Sequence, residues 1–216
     1  MSRINVIDVF SGAGGLSQGF ANAGFNIVAG IDNNAESLIT FSKNHSKATT
    51  INFDLSQKID FSSNEFSSLN NVKIDIVIGG PPCQGYSAIG IRRTFTVDRK
   101  DIPSNHLYID MIKVIEKLQP KAFLFENVAG LMRGRWTPDG KAGEIWSDVQ
   151  KAFKKIKGYT AHAELVHAKS YGVPQNRPRV FMVGVRDDFD VKDGKDLVAH
   201  GMLPEATNDY PHPEDL

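Results

Sequence analysis

The sequence predicts an α/β protein with a mostly parallel sheet and helices on both of its faces. Short runs rich in Val, Ile and Phe alternate with amphipathic stretches through most of the 216 residues. Such alternation is typical of parallel strands that are joined by crossover helices. A chain of this length suffices for one well-packed domain and is marginal for two. We therefore expect a single domain over residues 1–186.

Seven strands are predicted, each a short apolar run bounded mostly by Gly, Pro, Asp or Asn. They are Ile4–Phe10, Ile27–Ile31, Thr49–Phe53, Ile74–Ile78, Ala122–Phe125, Ala161–Val166 and Val180–Val185. Residues 187–216 contain acidic residues and prolines without periodicity, so we expect them to form a tail.

Four helices are predicted between these strands. Apolar residues recur on one face of the third and fourth helices, Pro120 stops the third, and Gly158 suits the end of the fourth. The four predicted spans are Leu16–Asn22, Asn34–Asn44, Leu107–Leu118 and Gly143–Lys157.

Composition excludes several classes of protein. The single cysteine excludes an intrachain disulfide and fits a reducing compartment. No apolar run approaches the length of a membrane span. The formal net charge is zero, so any binding of nucleic acid must come from local basic clusters.

The carboxyl ends of the strands are the first place to look for a site, because doubly wound sheets bind ligands there. The first strand is followed by FSGAGG, residues 10–15, whose glycines permit a tight turn and close approach of a ligand at a helix N-terminus. The dinucleotide fingerprint requires a third glycine where this chain has Ser17. The match to a NAD site is therefore incomplete.

Two acidic residues follow the next two strands. Asp32 stands at about the right distance for a carboxylate that takes ribose hydroxyls, and Asp54 could accept a hydrogen bond from an adenine amino group. Taken singly, the glycines are better explained as a simple turn and each aspartate as a solvated cap. Together and in this order, they suggest a cofactor that contains adenosine but no pyrophosphate.

The stretch GGPPCQGYS, residues 79–87, follows the fourth strand and contains the single cysteine. Pro81 and Pro82 restrict the backbone, so they hold Cys83 in a fixed orientation at the edge of the sheet. A lone cysteine is more often a small buried apolar residue than a nucleophile. Here turn residues and polar side chains flank it, which argues against burial in the core.

Two more motifs lie at strand ends. Glu126, in ENV, could cap a helix, but in a parallel sheet it would lie beside the end of the fourth strand. Arg177 and Arg179, in QNRPR, precede the last strand and would point the same way in strand geometry. They fit either a salt-bridged edge or a fixed guanidinium that binds a carbonyl oxygen or a carboxylate.

Together, FSGAGG, PPCQGYS, ENV and QNRPR closely resemble the motifs of the cytosine-C5 DNA methyltransferases, in the same order and over about residues 6–185. The resemblance implies a class I S-adenosylmethionine-dependent methyltransferase fold, a seven-stranded, Rossmann-like sheet. It also implies DNA (cytosine-5-)-methyltransferase activity of the restriction-modification type, with a cytoplasmic location near the nucleoid of a prokaryote. No metal site and no membrane partner are expected.

The resemblance assigns a site for S-adenosylmethionine. The turn after the first strand would cradle the methionine part, Ile31 and Leu55 would sandwich the adenine, and Asp54 would bond its amino group. Many members carry a glutamate for the ribose where this chain has Gly30, so either Asp32 substitutes or the ribose contact is weaker. The predicted cofactor residues are Phe10, Ser11, Gly12, Ala13, Gly14, Gly15, Leu16, Ile31, Asp32, Asp54, Leu55, Pro82 and Leu107, the last two lining the methyl-donor pocket.

The resemblance also assigns the chemistry. In the family's reaction, the residue matching Cys83 attacks C6 of a cytosine that has left the duplex. The residue matching Glu126 hydrogen-bonds the N3 and amino edge, which requires a protonated or proton-sharing carboxyl. Arg179 would hold the base's O2, and Arg177 would support the site. Because a free thiol has a pKa of about 8.5, local activation of Cys83 is expected.

Duplex DNA is the expected partner. In the family, the loop after the cysteine closes over the DNA, and phosphate contacts from it would make binding salt-dependent. The predicted DNA-binding residues are Gln84, Ser87, Arg92, Arg93 and Arg99. A second basic cluster, Arg133, Arg135 and Lys141, follows ENV.

Members of the family usually continue past Gln-x-Arg-x-Arg into a variable target-recognition region, an Asn/Arg-rich motif and a last segment on the cofactor side. The final residues, YPHPEDL, resemble the entrance to that region. We therefore expect either a fragment or a split enzyme whose second polypeptide supplies the rest. By itself such a chain could bind cofactor without methylating DNA, as a cofactor-binding subunit rather than a complete enzyme.

Three other interpretations remain. A tRNA cytosine-C5 methyltransferase of the same family would share the chemistry and differ in substrate. An NAD-dependent oxidoreductase would explain the glycine turn but not PPCQ, ENV or QNRPR. RNA methyltransferases that use two cysteines are disfavoured, because Cys83 has no second cysteine as a partner.

Overall fold

The computed structural model describes residues 3–82, 103–188 and 206. Among the predicted site residues, Cys83, Gln84, Ser87, Arg92, Arg93 and Arg99 lie outside the described residues, as does most of the predicted tail.

The described residues form seven strands and four α-helices in the predicted order. The strands are β1 (Asn5–Val9), β2 (Asn26–Asp32), β3 (Thr49–Asn52), β4 (Ile76–Gly79), β5 (Ala122–Val128), β6 (Tyr159–His167) and β7 (Pro178–Arg186). The helices are α1 (Gly15–Asn22), α2 (Ala35–Asn44), α3 (Leu107–Leu118) and α4 (Glu144–Lys154).

Short 3₁₀ helices were not predicted from the sequence. They lie at Asn64–Leu69, Pro103–His106, Ala129–Arg133 and Ala168–Tyr171. Segments this short cannot show a hydrophobic period, so the sequence carries no pattern that would predict them.

The strand order in the sheet is β3-β2-β1-β4-β5-β7-β6. β1 pairs in parallel with both β2 and β4, β2 with β3, and β4 with β5. β6 and β7 are antiparallel. This mostly parallel, seven-stranded sheet confirms the predicted fold class.

The described residues fall into two compact units. The first contains residues 3–82 and 103–125, with β1 to β4, most of β5 and the helices α1 to α3. Its central strand β1 is buried from Val6 to Val9, as expected of a parallel strand that is covered on both faces.

The second unit contains residues 126–188 among those described. It is built from the end of β5, α4, β6 and β7. The apolar face of α4 supplies four buried residues at helical spacing: Ile145, Trp146, Val149 and Phe153.

Several boundaries differ from the predicted ones. β5 continues to Val128, so Glu126 lies within the strand rather than after it. β7 begins at Pro178, so Arg177 precedes the strand and does not alternate with Arg179 inside it. α4 ends at Lys154, because Ile156 donates to Phe153 in a tighter i→i+3 turn that closes the helix before Gly158.

Candidate active site

The glycine turn, residues 10–15, contains three residues with a left-handed backbone. The φ angle is +59° at Phe10, +52° at Gly12 and +87° at Gly14. Glycine adopts such angles freely, whereas a bulky residue such as Phe10 is strained there. Strain of this kind persists only where surrounding contacts hold it, and it is common at ligand sites. Gly14 is the N-cap of α1, so the turn leads directly into a helix N-terminus.

The carboxylate of Asp32 connects the end of β2 to the glycine turn. Its Oδ2 accepts a hydrogen bond of 2.8 Å from the Gly12 N–H, and its Oδ1 accepts one of 2.8 Å from the Asn34 N–H. Each carboxylate oxygen has two acceptor sites, so Asp32 can hold the turn and still accept a ligand hydroxyl.

A cavity of about 250 Å³ lies in the first unit. Its lining combines aromatic, apolar and acidic groups: Phe10, Asp32, Asn33, Phe53, Asp54, Leu55, Gly80, Pro82 and Leu107. These residues lie at or just after the ends of β1 to β4, or at the start of α3. Because the carboxyl ends of parallel strands meet at one edge of a sheet, the topology brings them together.

Asp54 has a fixed orientation in this lining. Its Oδ1 accepts hydrogen bonds from both the N–H and the hydroxyl of Ser56, at 3.0 and 2.7 Å. The side chain of Leu55 is only 2% exposed, although it contributes to the cavity wall. The site therefore offers an oriented acceptor next to an apolar surface.

Ile31 is not among the residues that line the cavity, so its contact with adenine stays a prediction. The side chain is fully buried within β2. At this strand end the residues that line the cavity are Asp32, the last residue of β2, and Asn33, which follows it.

The rest of the glycine turn lies outside the cavity wall. Residues 11–16 are not among the lining residues, so their predicted contacts with the cofactor stay a prediction. The Ser11 hydroxyl is buried and has no hydrogen-bond partner among the described residues. A Cβ added at Gly12 or Gly15 would meet no atom of the described residues within 4 Å.

Three lining residues were missed by the sequence analysis: Asn33, Phe53 and Gly80. Each lies next to a residue that was singled out or to a predicted strand end. Including the neighbours of each strand end would have found them. Phe53 also packs on Phe66, with the ring centroids 5.0 Å apart.

The structure explains why a glycine stands where many family members have a glutamate. A Cβ built on Gly30 would lie 2.4–2.8 Å from the ring atoms of Phe41 in α2. The aromatic ring therefore occupies the space that any side chain at position 30 would need. The carboxylate that reaches the cavity comes instead from Asp32.

In the second unit, Glu126 of β5 and Arg179 of β7 form an ion pair. Arg179 Nε lies 2.8 Å from Glu126 Oε1, and the two side chains are only 19% and 24% exposed. Burial raises the pKa of Glu126, and the positive charges of Arg179 and Arg177 only partly offset the rise. A carboxyl in this environment retains or shares a proton more readily than an exposed glutamate does.

Two other contacts complete the geometry of the predicted catalytic residues. Arg179 Nη1 donates a hydrogen bond of 2.8 Å to the carbonyl of Pro178. Arg177 is exposed, precedes β7, and acts on Glu126 through its charge. For Arg179 the structure shows a salt bridge within the protein, to the carboxylate of Glu126.

Asp8, in the middle of β1, was not predicted as a special residue. It is 1% exposed and accepts a hydrogen bond of 2.7 Å from the Ser17 hydroxyl of α1. Burial raises its pKa to about 7; the hydrogen bonds from Ser17 oppose the rise, and the negative charge of Asp32 adds to it. A charged residue inside an apolar strand is the sequence signal that could have identified it.

Comparisons with known proteins agree with the fold. Residues 4–215 match the family model of the C-5 cytosine-specific DNA methylases. The type II methyltransferase M1.HphI of Haemophilus parahaemolyticus is 35% identical over 189 residues, which cover 87% of this chain and 47% of that protein. The type II methyltransferase M.AquIA of Picosynechococcus sp. is 34% identical over 185 residues, covering 84% of this chain and 71% of that protein.

Solved structures show the same architecture. A structure named as a DNA modification methyltransferase encoded within a prophage (E. coli) has a TM-score of 0.69 and 34% identity, covering 88% of this chain and 49% of that chain. The Dnmt2 methyltransferase of S. pombe has a TM-score of 0.60 at 19% identity, covering 92% and 54%, and this likeness shows the fold alone.

The sheet is Rossmann-like and has a cavity at its strand ends. The chain belongs to the C-5 cytosine-specific DNA methylase family. It spans about half the length of M1.HphI and of the prophage protein. Within the described part of the chain, no helix has the length and hydropathy needed to cross a membrane.

Proposed function

We propose that this chain carries the catalytic machinery of an S-adenosylmethionine-dependent DNA (cytosine-5-)-methyltransferase that acts through a covalent bond from Cys83 to C6 of the target cytosine. The observation that supports this most directly is the partly buried pair of Glu126 and Arg179, in which the pKa of Glu126 is raised. Residues 1–186 would form the catalytic domain, and residues 187–216 would lead toward a target-recognition region.

The cavity residues fit an adenosine-containing cofactor. Two carboxylates, Asp32 and Asp54, provide acceptors for ribose hydroxyls and an adenine amino group, and Phe53 and Leu55 provide apolar surface. The buried hydroxyl of Ser11 would gain a partner from a polar group of the ligand, as buried polar atoms usually do. When bound, S-adenosylmethionine supplies an electrophilic methyl group on a sulfonium centre.

Cys83 would perform the nucleophilic step. Its thiolate would form a bond to C6 and so make the C5–C6 electron pair available at C5, which would take the methyl group that bound S-adenosylmethionine supplies, with the thioether S-adenosylhomocysteine as the leaving group. Loss of the C5 proton then restores the double bond and expels the thiolate, so the enzyme returns to its starting state. Pro81 and Pro82, which precede Cys83 in the sequence, restrict its backbone.

Glu126 and Arg179 would hold the base during this addition. A glutamate with a raised pKa can share a proton with N3 and so draw electron density away from C6. The guanidinium of Arg179 would bind the O2 atom, and Arg177 would add positive charge nearby.

Duplex DNA is the proposed substrate. The exposed residues Arg133 and Arg135 follow ENV and could contact phosphates, as could the predicted contacts Arg92, Arg93 and Arg99. Because M1.HphI and the prophage protein are about twice as long, a second candidate is a cofactor-binding subunit that requires another polypeptide for target recognition.

The proposal is tested by incubating the chain with methyl-labelled S-adenosylmethionine and duplex DNA of varied sequence in which every cytosine is 5-fluorocytosine. Fluorine replaces the C5 proton whose loss would release the enzyme, so the covalent complex accumulates. We expect a methyl-labelled protein–DNA adduct on a denaturing gel, abolished in Cys83→Ser and strongly reduced in Glu126→Gln. An adduct that forms in Cys83→Ser would rule out the covalent role of this residue.

The same experiment separates the other candidates. No adduct, with S-adenosylmethionine binding intact by calorimetry, would favour the cofactor-binding subunit. Adduct formation on fluorocytosine-containing transcribed tRNA but not on duplex DNA would favour a tRNA methyltransferase.

A further inference from the structure

Two neighbouring side chains at the end of α2 bond to the backbone of the glycine turn. Asn44 Nδ2 donates a hydrogen bond of 3.1 Å to the carbonyl of Ala13. His45 Nε2 lies 3.0 Å from the carbonyl oxygen of Gly14. A carbonyl oxygen can only accept, so this contact requires the His45 tautomer that carries its proton on Nε2.

The packing around His45 requires a glycine at the contact point. The ring is only 7% exposed and lies 4.7 Å from the ring of Phe41, one helical turn earlier in α2. A Cβ added at Gly14 would lie 2.6–2.8 Å from atoms of His45 and Phe41. The absence of a side chain at Gly14 therefore allows the α2 terminus to reach the turn.

These contacts fix the direction of peptide groups at the start of α1. The planar trans peptide places the carbonyl of Gly14 and the N–H of Gly15 on opposite sides. Gly15 is the first residue of α1, so its N–H has no acceptor within the helix. The Gly14 carbonyl also accepts the first hydrogen bond of α1, at 2.9 Å from the Gln18 N–H, so His45 adds a second restraint to the same group. While both donors hold this carbonyl, the Gly15 N–H points away from α2.

The turn needs such support because three of its residues have left-handed backbones, one of them Phe10. Asp32 holds Gly12 from the end of β2, while Asn44 and His45 hold the next two carbonyls from the end of α2. The side chains of two elements thus restrain three consecutive residues.

We propose that Asn44 and His45 are positioning residues, which hold the glycine turn in the conformation that binds the cofactor. This inference rests on the proposed function, because it takes the turn to be part of the S-adenosylmethionine site. If the turn samples other conformations when a restraint is removed, the apparent affinity for S-adenosylmethionine falls in proportion to the fraction of molecules that keep the binding conformation.

The test compares variants of the full chain by calorimetric titration with S-adenosylmethionine. His45→Phe keeps the ring beside Phe41 but removes the donor, and we expect about tenfold weaker binding, the factor that one hydrogen bond provides. His45→Gln restores a donor and should recover most of the affinity. Asn44→Ala changes an exposed side chain and should weaken binding several-fold with little change in thermal stability.

Val149→Ala is the matched control. Val149 is buried in α4 of the second unit, so this variant should lower the melting temperature without weakening S-adenosylmethionine binding. Unchanged affinity in His45→Phe would overturn the inference. So would a decrease of affinity in Val149→Ala that matches the decrease in His45→Phe, since affinity would then follow stability alone.

Hydrogen exchange of the ligand-free chain separates this inference from the proposed function. If the wild type does not bind S-adenosylmethionine, the assigned cofactor site fails, but exchange at residues 11–16 still reports on the restraint. We expect faster exchange there in His45→Phe than in Val149→Ala. Equal exchange in the two variants would show that His45 does not hold the turn.

Discussion

The carboxyl group of Asp8 sits in β1, which is buried from Val6 to Val9. A buried carboxylate is costly to ionise, and the hydrogen bonds from the hydroxyl and the backbone of Ser17 offset only part of that cost. The pKa of Asp8 is therefore raised to about 7, so a group that is normally ionised carries its proton at mildly acidic pH.

Asp8→Asn should change the pH dependence of stability. The pKa of Asp8 is higher in the folded state than in the unfolded state, so its contribution is fully present below about pH 4 and is lost as pH rises through about 7. Relative to Asp8→Asn, the wild type should lose up to about 4 kcal/mol of unfolding free energy across this range.

Urea denaturation of both proteins at pH 4 to 8 measures this difference. Glu65→Gln serves as the control, because hydrogen bonds from Ser63 and from its own backbone outweigh the effect of burial and lower the pKa of exposed Glu65. A constant difference between wild type and Asp8→Asn at all pH values would show that Asp8 titrates normally.

At the level of elements, Asp75 connects three strands at their amino ends. Its carboxylate accepts a 3.0 Å hydrogen bond from the N–H of Asn5, which begins β1, and pairs with Lys121 at 2.9 Å, just before β5. Burial alone would raise the pKa of Asp75, but the hydrogen bond and the ion pair bring it below its usual value.

Asp75→Ala should destabilise the first unit by about 1–3 kcal/mol, because the Asn5 N–H and the Lys121 ammonium lose a partly buried acceptor. The lowered pKa means that this contribution is present above about pH 4 and is lost as pH falls. Urea denaturation at pH 7 measures the effect. S-adenosylmethionine affinity should stay unchanged, since the cavity lies at the opposite ends of the strands.

Asp60→Ala is the control for that experiment. The pKa of Asp60 is also lowered, through hydrogen bonds from Ser62, but Asp60 is fully exposed in a loop. If Asp75→Ala and Asp60→Ala lost equal stability, the contacts of Asp75 with the strands would not be the source of its contribution.

For the whole molecule, a net charge of zero means that attraction to DNA must be local. Arg92 and Arg93 lie outside the described residues, so their role remains a prediction from the sequence. Changing both to Ala should weaken DNA binding and reduce the slope of log affinity against log salt by about 2, one for each phosphate that an arginine no longer neutralises.

Fluorescence anisotropy across a salt series measures this slope. Lys154→Ala together with Lys155→Ala removes the same charge from exposed positions at the end of α4 and should leave the slope unchanged. The same slope in wild type and the arginine double variant would exclude phosphate contacts by Arg92 and Arg93.

The sequence by itself determined the order of the seven strands and four helices along the chain, because continuous apolar runs and helical periodicity are local properties. It also identified six of the nine cavity residues. The strand ends singled out Phe10, Asp32 and Asp54, and the resemblance to the family added Leu55, Pro82 and Leu107.

Only the tertiary structure decided which side chains at those ends face the cavity and what surrounds them. Ile31 is fully buried within β2 whereas Asn33, just after the strand, lines the cavity, and the ring of Phe41 excludes any side chain at Gly30. The raised pKa values of Asp8 and Glu126, and the contacts of His45 with Gly14, arise between residues that are far apart in sequence or on separate elements. Burial and hydrogen-bond geometry depend on all packed neighbours, so no local pattern in the sequence encodes them.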